Sequence, residues 1–331
     1  MPRIVSLLPS ATEWVFALGL DGDLLGVTFE CDAPGDPRRD RAVVVEGLRT
    51  TRDDGSPLPP GEIDGLVRAT LAAGRPLYRL DEAGMAGLAP DVVLTQDLCA
   101  VCALPAAQAR EAVRRAGCPG TVVTLDPHTL EEVLDGATAV ADACGHPERG
   151  RRLRDELGAR LRQVATAVGT ALPAATGADR PRPRVLVLEW TDPPFVAGHW
   201  VPDLVVAAGA EPVLARPGDR SVPTTWAQVA ETAAASQGLD GVLVAPCGFG
   251  LDAAAEQARA LLERLPEHVA VWAVDAGAVV TRPGPRVVDG VEALAALWHP
   301  AAVPARPGLA VTVRPPVRAG NALAGGGAPR R

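Results

Sequence analysis

PERGRRLRDELGARLRQVATAV, residues Pro147 to Val168, is the stretch on which the reading of the fold turns. Pro147 comes two residues after Gly145 and takes a permitted first helical position, and Leu153, Leu157, Leu161, Val164 and Val168 recur every three or four residues between Arg and Glu. The spacing predicts one long amphipathic helix. On either side lies a segment of similar size in which short apolar strands alternate with amphipathic helices. The helix is then either a spacer between two α/β lobes, with any ligand site where the lobes face each other, or a surface helix of one large domain.

On the N-terminal side, strands are expected at Ile4–Leu8, Leu24–Thr28, Val92–Leu94 and Val122–Leu125, with a shorter one at Val43–Val45. Helices are expected at Ser10–Leu18, where Ser10 and Glu13 read as a capping box, and at Glu62–Ala73, Asp81–Leu88, Ala106–Ala116 and Leu130–Cys144. Such alternation predicts a mostly parallel sheet covered on both faces. On the C-terminal side, strands are expected at Arg184–Trp190, Gly241–Ala245 and Val271–Val274, and helices at Trp200–Ala208, Trp226–Ala235, Asp252–Leu265 and Val287–Trp298. The resulting division is an N-terminal lobe over 1–145, a connecting helix over 146–169, a C-terminal lobe over 170–302 and a disordered tail over 303–331.

The length of 331 residues accommodates two domains of about 100–200 residues each. With 47% hydrophobic and 22% charged residues the chain reads as globular. Every cation is Arg. A net charge of −8 leaves no basic stripe to neutralise phosphates, which excludes a nucleic-acid binder. No apolar run approaches the roughly 20 residues needed to span a bilayer, so no membrane insertion is expected. The opening MPRIVSLLPSATEWVFALGL imitates a signal peptide, but Glu13 interrupts its apolar run and no small-residue cleavage site follows before Asp21. The expectation is a cytoplasmic protein, periplasmic or surface-exposed only if the true N-terminus is longer.

In parallel sheets ligands gather beyond the carboxyl ends of the strands, where loops converge and helix N-termini present free N–H groups. Reactive side chains that fall there are Glu30 and Cys31 after LLGVTF, Asp97, Cys99 and Cys102 after DVVLTQ, Glu189, Trp190 and His199 at or after VLVL, and Cys247 after GVLVAP. The two thiols of Cys99-Ala-Val-Cys102 suit a shared soft metal ion or a disulfide. A four-thiolate zinc site would show a second such pair and none exists, so completion would fall to Cys31, Cys247 or His199; a turn that happens to hold two Cys explains the pair equally. The loop Glu189-Trp-Thr-Asp-Pro-Pro-Phe-Val-Ala-Gly-His-Trp-Val-Pro202 is stiff and aromatic and carries a free imidazole, which suits a large planar ligand with a metal centre. Trp226 opens a helix that borders the same crevice, or is core. No Walker loop, Gly-x-Ser-x-Gly elbow, His-Glu-x-x-His or dinucleotide fingerprint is present.

Arg3-Ile-Val-Ser-Leu-Leu-Pro-Ser-Ala-Thr-Glu13, with Phe16-Ala-Leu-Gly-Leu20, Leu25-Gly-Val27 and the later Leu88-Ala-Pro-Asp-Val-Val-Leu94, resembles the substrate-binding proteins of iron-siderophore and cobalamin ABC importers, and within them the cobalamin-binding branch. The resemblance implies two Rossmann-like lobes with mostly parallel sheets joined by a single long α-helix, the class III periplasmic-binding-protein-like fold, with ligand held between them. It implies a non-catalytic protein that binds cobalamin or a related corrinoid and partners an ABC transporter permease. On that reading Trp14, Trp190, Trp200 and Trp226 offer flat contact, Ser10 meets peripheral polar groups with Glu30, Asp97 and Glu189 nearby, and His199 or a cleft Cys approaches the metal. The other reading is a thiol-rich metal or redox protein in which Cys31, Cys99, Cys102, Cys247 and His199 hold zinc or another thiophilic metal.

Overall fold

The computed structural model describes residues 1–97, 104–118, 120–171, 182–235 and 238–316. In the first lobe the chain runs β1 (Ile4–Ser6), α1 (Pro9–Ala17), β2 (Leu24–Thr28), β3 (Ala42–Gly47), α2 (Pro60–Ala72), β4 (Tyr78–Leu80), α3 (Glu82–Leu88), β5 (Val92–Thr95), α4 (Ala106–Arg115), β6 (Thr121–Thr124) and α5 (Leu130–Ala143). The sheet order is β4-β3-β2-β1-β5-β6, parallel throughout except for β4 against β3. The chain builds outward from β1 on one side, then crosses to β5 on the other. The switch point between β1 and β5 therefore opens a crevice beyond their carboxyl ends.

After α6 (Pro147–Ala171) the second lobe runs β7 (Arg184–Thr191), β8 (Pro194–Val196), α7 (Val201–Ala207), β9 (Glu211–Pro212), β10 (Val222–Pro223), α8 (Trp226–Ala234), β11 (Gly241–Val244), α9 (Leu251–Ala260), β12 (Ala270–Val274), α10 (Ala276–Val279), α11 (Val287–Trp298) and β13 (Ala310–Arg314). Its sheet order is β10-β8-β7-β11-β12-β13, with β9 paired to β7. The central strands β5, β11 and β12 are buried along their whole length, and their sequences VVLT, GVLV and AVWAV are continuous apolar runs, as strands covered on both faces require. Residues expected as part of a disordered tail instead form β13, antiparallel to β12; its burial is only partial, so its sequence lacks the apolar run that marks the central strands.

The long helix does join the lobes. Leu157, Val164 and Val168 are buried in one apolar cluster that takes in Ile4, Trp14 and Val133 from the first lobe and Val187, Leu204 and Leu294 from the second. Each such side chain contributes about 1.5–3 kcal/mol of burial. At its start the Arg149 guanidinium donates to the Leu18 and Gly19 carbonyls at 3.1 and 2.9 Å. Just past its middle, Arg160 pairs with Asp289 and Glu292 of α11. The capping box expected at α1 does not form: Leu8 is the N-cap, Pro9 fills the first turn, and the Glu13 carboxylate is engaged elsewhere. A capping box forms at α5, between Thr129 and Glu132.

Candidate ligand site between the lobes

The carboxyl ends of both sheets point toward the space between the lobes, and that face divides into two unlike halves. In the first, the α10–α11 connection of the second lobe lies across α1 of the first. Arg286 donates to both Glu13 carboxylate oxygens, at 3.0 and 2.6 Å. Arg282 stands 3.7 Å from the same carboxylate and 2.6 Å from Asp32, and donates to the Glu30 carbonyl. Trp14, fully buried, gives its indole N–H to the Pro283 carbonyl at 3.0 Å. Gly284 sits so close that a Cβ there would lie 2.9 Å from Glu13 Oε2 and would press on the paired carboxylate.

Charges in this half offset one another. Burial raises the Glu13 carboxyl, and the Arg286 hydrogen bonds and the two guanidinium charges offset this only in part. Both arginines are held above their ordinary values, against burial, by Asp32 and Glu13. That, with the bidentate geometry, is an ion pair. Burial also acts to raise Asp32, but the Arg282 hydrogen bond and charge outweigh it. Glu30 differs. Its carboxyl makes no hydrogen bond among the described residues, and burial pushes it up to about 7 despite the charge of Arg282.

In the second half two imidazoles meet. His128, in the turn between β6 and α5, and His199, in the turn between β8 and α7, have ring centroids 5.6 Å apart, one ring from each lobe. His199 is held with φ of 54°, a left-handed conformation unusual for a side chain of this size. Its N–H donates to the Asp219 carbonyl at 2.5 Å and its carbonyl accepts from Gly218 at 3.1 Å. Gly198 is wedged so tightly that a Cβ would lie 2.4 Å from Arg220 and Ser221 backbone. The adjoining Trp200 is buried, its N–H on the Val280 carbonyl at 2.8 Å. The His199 ring lies 6.0 Å from the Trp200 ring as well as 5.6 Å from that of His128. Neither ring makes a hydrogen bond among the described residues; Asp126 lies 4.0 Å from His128 Nε2. Burial lowers the His199 pKa, with help from His128 and Arg220, so the ring is neutral near pH 7 with a lone pair to donate. Beside this pair the lobes touch, the Leu130 N–H at the start of α5 donating to Asp203 of α7 at 3.1 Å.

The residues expected at the site are scattered between these halves and the core. Ser10 and Trp14 are covered by the strap from the second lobe, and Trp200 is core with only its neighbour His199 facing outward; the reading of Trp14 and Trp200 as flat ligand contacts is corrected, because both spend their polar atom on a backbone carbonyl. Cys31 is fully buried, its sulfur within hydrogen-bonding distance of Thr12 and Thr28 hydroxyls, and burial raises its pKa, which favours the thiol. Cys99 and Cys102 lie outside the described residues. Cys247 follows β11, its N–H on the Glu189 carbonyl at 3.0 Å. Among the described residues no three His, Cys, Asp or Glu side chains gather to hold a metal ion, so the expected set of Cys31, Cys247 and His199 is not assembled. Asp97 accepts from the Ala106 N–H at the start of α4. Trp190 packs against Phe249 at 5.8 Å, at the carboxyl ends of β7 and β11 next to Glu189. Trp226 is stacked by the Arg264 guanidinium on the second lobe's own core.

His128, Arg282 and Arg286 are the residues sequence reading missed. His128 follows the strand at Val122–Leu125 and meets the same test that picked out Glu30 and His199. The arginines gave no such signal, since TRPGPR reads only as a loop.

No protein-family model matches the sequence, and no curated protein does. Solved structures do match. A periplasmic heme-binding protein from Pseudomonas aeruginosa superposes over 96% of this chain and 100% of its own, with 21% identity and a TM-score of 0.65. The periplasmic vitamin B12-binding protein BtuF of Vibrio cholerae covers 89% of this chain and 95% of its own, at 18% identity and a TM-score of 0.56. An ABC transporter substrate-binding protein from Listeria monocytogenes EGD-e covers 90% and 99%, at 16% identity and a TM-score of 0.61. The chain has the fold of the ABC-importer substrate-binding proteins. That is the fold the opening motif implied, two parallel-rich lobes about one long helix. The cytoplasmic placement is overturned by the same finding, because the heme- and vitamin B12-binding structures that share the fold are periplasmic proteins. The missing cleavage site misled because it was sought in a segment that is itself β1 and α1 of the fold.

Proposed function

We propose that this chain captures a planar metal chelate of the heme and corrinoid class between its lobes and hands it to the permease of an ABC importer, with no chemistry on the cargo. The observation that carries this reading is the pair His128 and His199, imidazoles from opposite lobes whose rings meet 5.6 Å apart, beside a half in which Glu13 and Asp32 are ion-paired with Arg286 and Arg282. Trp190, packed at 57° on the buried Phe249, supplies an apolar ring on the same end of the second lobe. The fold neighbours that bind heme or vitamin B12 support the choice of ligand class. The ion-paired strap and the shared core around α6 hold the lobes, so capture works by small displacements in place of a wide hinge swing.

The test is a visible-spectrum titration of the purified protein with hemin and, separately, hydroxocobalamin. Saturable binding with a shifted spectrum for either is expected, unchanged in the Cys99→Ser, Cys102→Ser double variant. Binding of neither chelate would overturn the reading. Stoichiometric metal in the anaerobically purified protein, lost in that double variant, would replace it with a thiol-held metal.

A further inference from the structure

We propose that the excursion between Gly47 and Tyr78, with α2 at its centre, is a lid: the first lobe carries it, it rests on the second lobe at Asp192, and it lifts to admit the cargo beside Trp190. Its use as a gate rests on the chelate-binding reading above. Its existence as a movable unit does not.

Topology supplies the hinge. Gly47 and Tyr78 are register partners in the antiparallel β3–β4 pair, so the chain leaves the sheet and re-enters it at one place. That place is the carboxyl end of β3, which runs parallel to β2 and so ends on the face turned toward the second lobe. The Phe29 ring lies over Gly47, where a Cβ would collide with it, and its centroid is 6.4 Å from that of Tyr78. Both ends of the excursion are therefore pinned, and what lies between them turns about a single point.

Packing supplies the freedom to move. Of the 13 residues of α2 only Thr70 is buried, and its hydroxyl donates to the Leu66 carbonyl one turn back. The helix α5, one residue longer, buries seven. Ile63, Leu66, Val67 and Leu71 join none of the buried apolar clusters. The ion pairs Arg49–Asp53, Arg52–Glu62 and Arg68–Asp64 all run within the excursion. A segment with few buried contacts, bonded mainly to itself, opens as a unit at low cost.

The resting contact lies on the opposite lobe. The element that α2 meets most closely is β7. Gly61, in the first turn of α2, lies against Asp192, the residue after β7, and a Cβ there would be 2.6 Å from its carboxylate. The Asp192 carbonyl in turn accepts the Trp190 indole N–H at 3.0 Å. One residue thus meets the lid with its side chain and holds Trp190 with its backbone. A first-lobe helix that leans on the second lobe more than on its own core spans the gap between them, and lifting it uncovers the Trp190 end without a swing of the lobes.

Two measurements on the full chain test this. The first needs no cargo: in hydrogen–deuterium exchange of the wild type, the amides of α2 are expected to exchange about tenfold or more faster than those of α5. Equal protection of the two helices overturns the lid. The second closes it. A Cβ at position 61 would lie 3.9 Å from the Asp192 Cβ, within the roughly 3.5–4.5 Å of a disulfide. Gly61→Cys with Asp192→Cys, in a Cys99→Ser, Cys102→Ser, Cys247→Ser background, is expected to form that bond on mild oxidation, as mapped by mass spectrometry. Far-ultraviolet circular dichroism checks that the variant folds, and the exchange comparison decides even where it does not. By stopped flow, hemin or hydroxocobalamin, whichever the wild type binds, should enter the oxidised variant about tenfold or more slowly than the same variant after reduction and removal of the reductant. Equal rates in the two forms, or no disulfide in a folded variant, overturn this inference and leave the chelate-binding reading intact. Binding of neither chelate by the wild type overturns that reading, while exchange and cross-linking still decide whether the excursion is a lid.

Discussion

The two halves of the interlobe face are built from opposite principles. Where α1 meets the Arg282–Arg286 strap, Glu13 and Asp32 have their counter-charges, the indole N–H of Trp14 has its carbonyl, and Gly284 lies close against Glu13. Where β6 and β8 end, two imidazoles meet with no hydrogen-bond partner among the described residues, one of them on strained backbone. The first half is satisfied by its own chain and holds the lobes together. The second is left to be satisfied by something else. Both rings are only partly buried, and on the proposed reading it is this half that offers side chains to a ligand.

Breaking the satisfied half should cost most. Glu13→Ala leaves the Arg282 and Arg286 guanidiniums without their shared carboxylate and is expected to lower unfolding free energy by about 3 kcal/mol, read by urea denaturation. A loss below about 1 kcal/mol would mean that the strap does not lock the lobes.

Glu30, at the border of the locked half, carries the next effect. Its folded pKa of about 7 lies above the ordinary 4.5, so the folded state keeps a proton that the unfolded chain has released. Its contribution to stability is present below the ordinary value and is lost as pH rises through the folded one. Glu30→Gln should therefore flatten the decline between these values and raise stability at pH 8 by roughly 1–3 kcal/mol relative to pH 4. An unchanged pH profile of thermal unfolding would show that the carboxyl is solvated.

At the boundary with the imidazole half, Asp203→Ala removes the acceptor of the Leu130 N–H and is expected to cost about 1 kcal/mol. The imidazoles themselves should matter least to stability. His128→Ala and His199→Ala are expected to stay within about 0.5 kcal/mol at pH 7.5 while impairing chelate binding. Burial holds His199 below its ordinary pKa, so the stability it permits is full above the unfolded value of about 6.5 and falls as pH drops beneath it. His199→Ala should lose that acid slope. A stability loss as large as that of Glu13→Ala would erase the distinction between the halves.

Much of the fold is legible in local pattern. The 3.6-residue recurrence of Leu157, Val164 and Val168 marked the helix face that proves buried, and the apolar runs at Val92, Gly241 and Val271 marked central strands. The strands missed, β4, β8, β9, β10 and β13, are edge or near-edge pieces, all but β13 only two or three residues long, so no periodicity announces them. The site was half legible. Placing residues after strands found Glu30, Glu189, Trp190 and His199 and would have found His128 had the same rule been applied to the strand before it.

What the sequence determined by itself is which residues are helical, which are extended and which faces are apolar, because backbone propensity and burial act over a few neighbouring residues. What only the tertiary structure decided is use. Trp14 and Glu13 sit at the head of a motif that resembles ligand-binding proteins, yet they are sealed by a strap from the other lobe. His128 and His199 are ordinary loop histidines until two sheets and a long helix bring their rings to 5.6 Å. The physical reason is that pairing across the lobes depends on where whole elements are carried by the packing around α6, and local spacing holds no record of that distance.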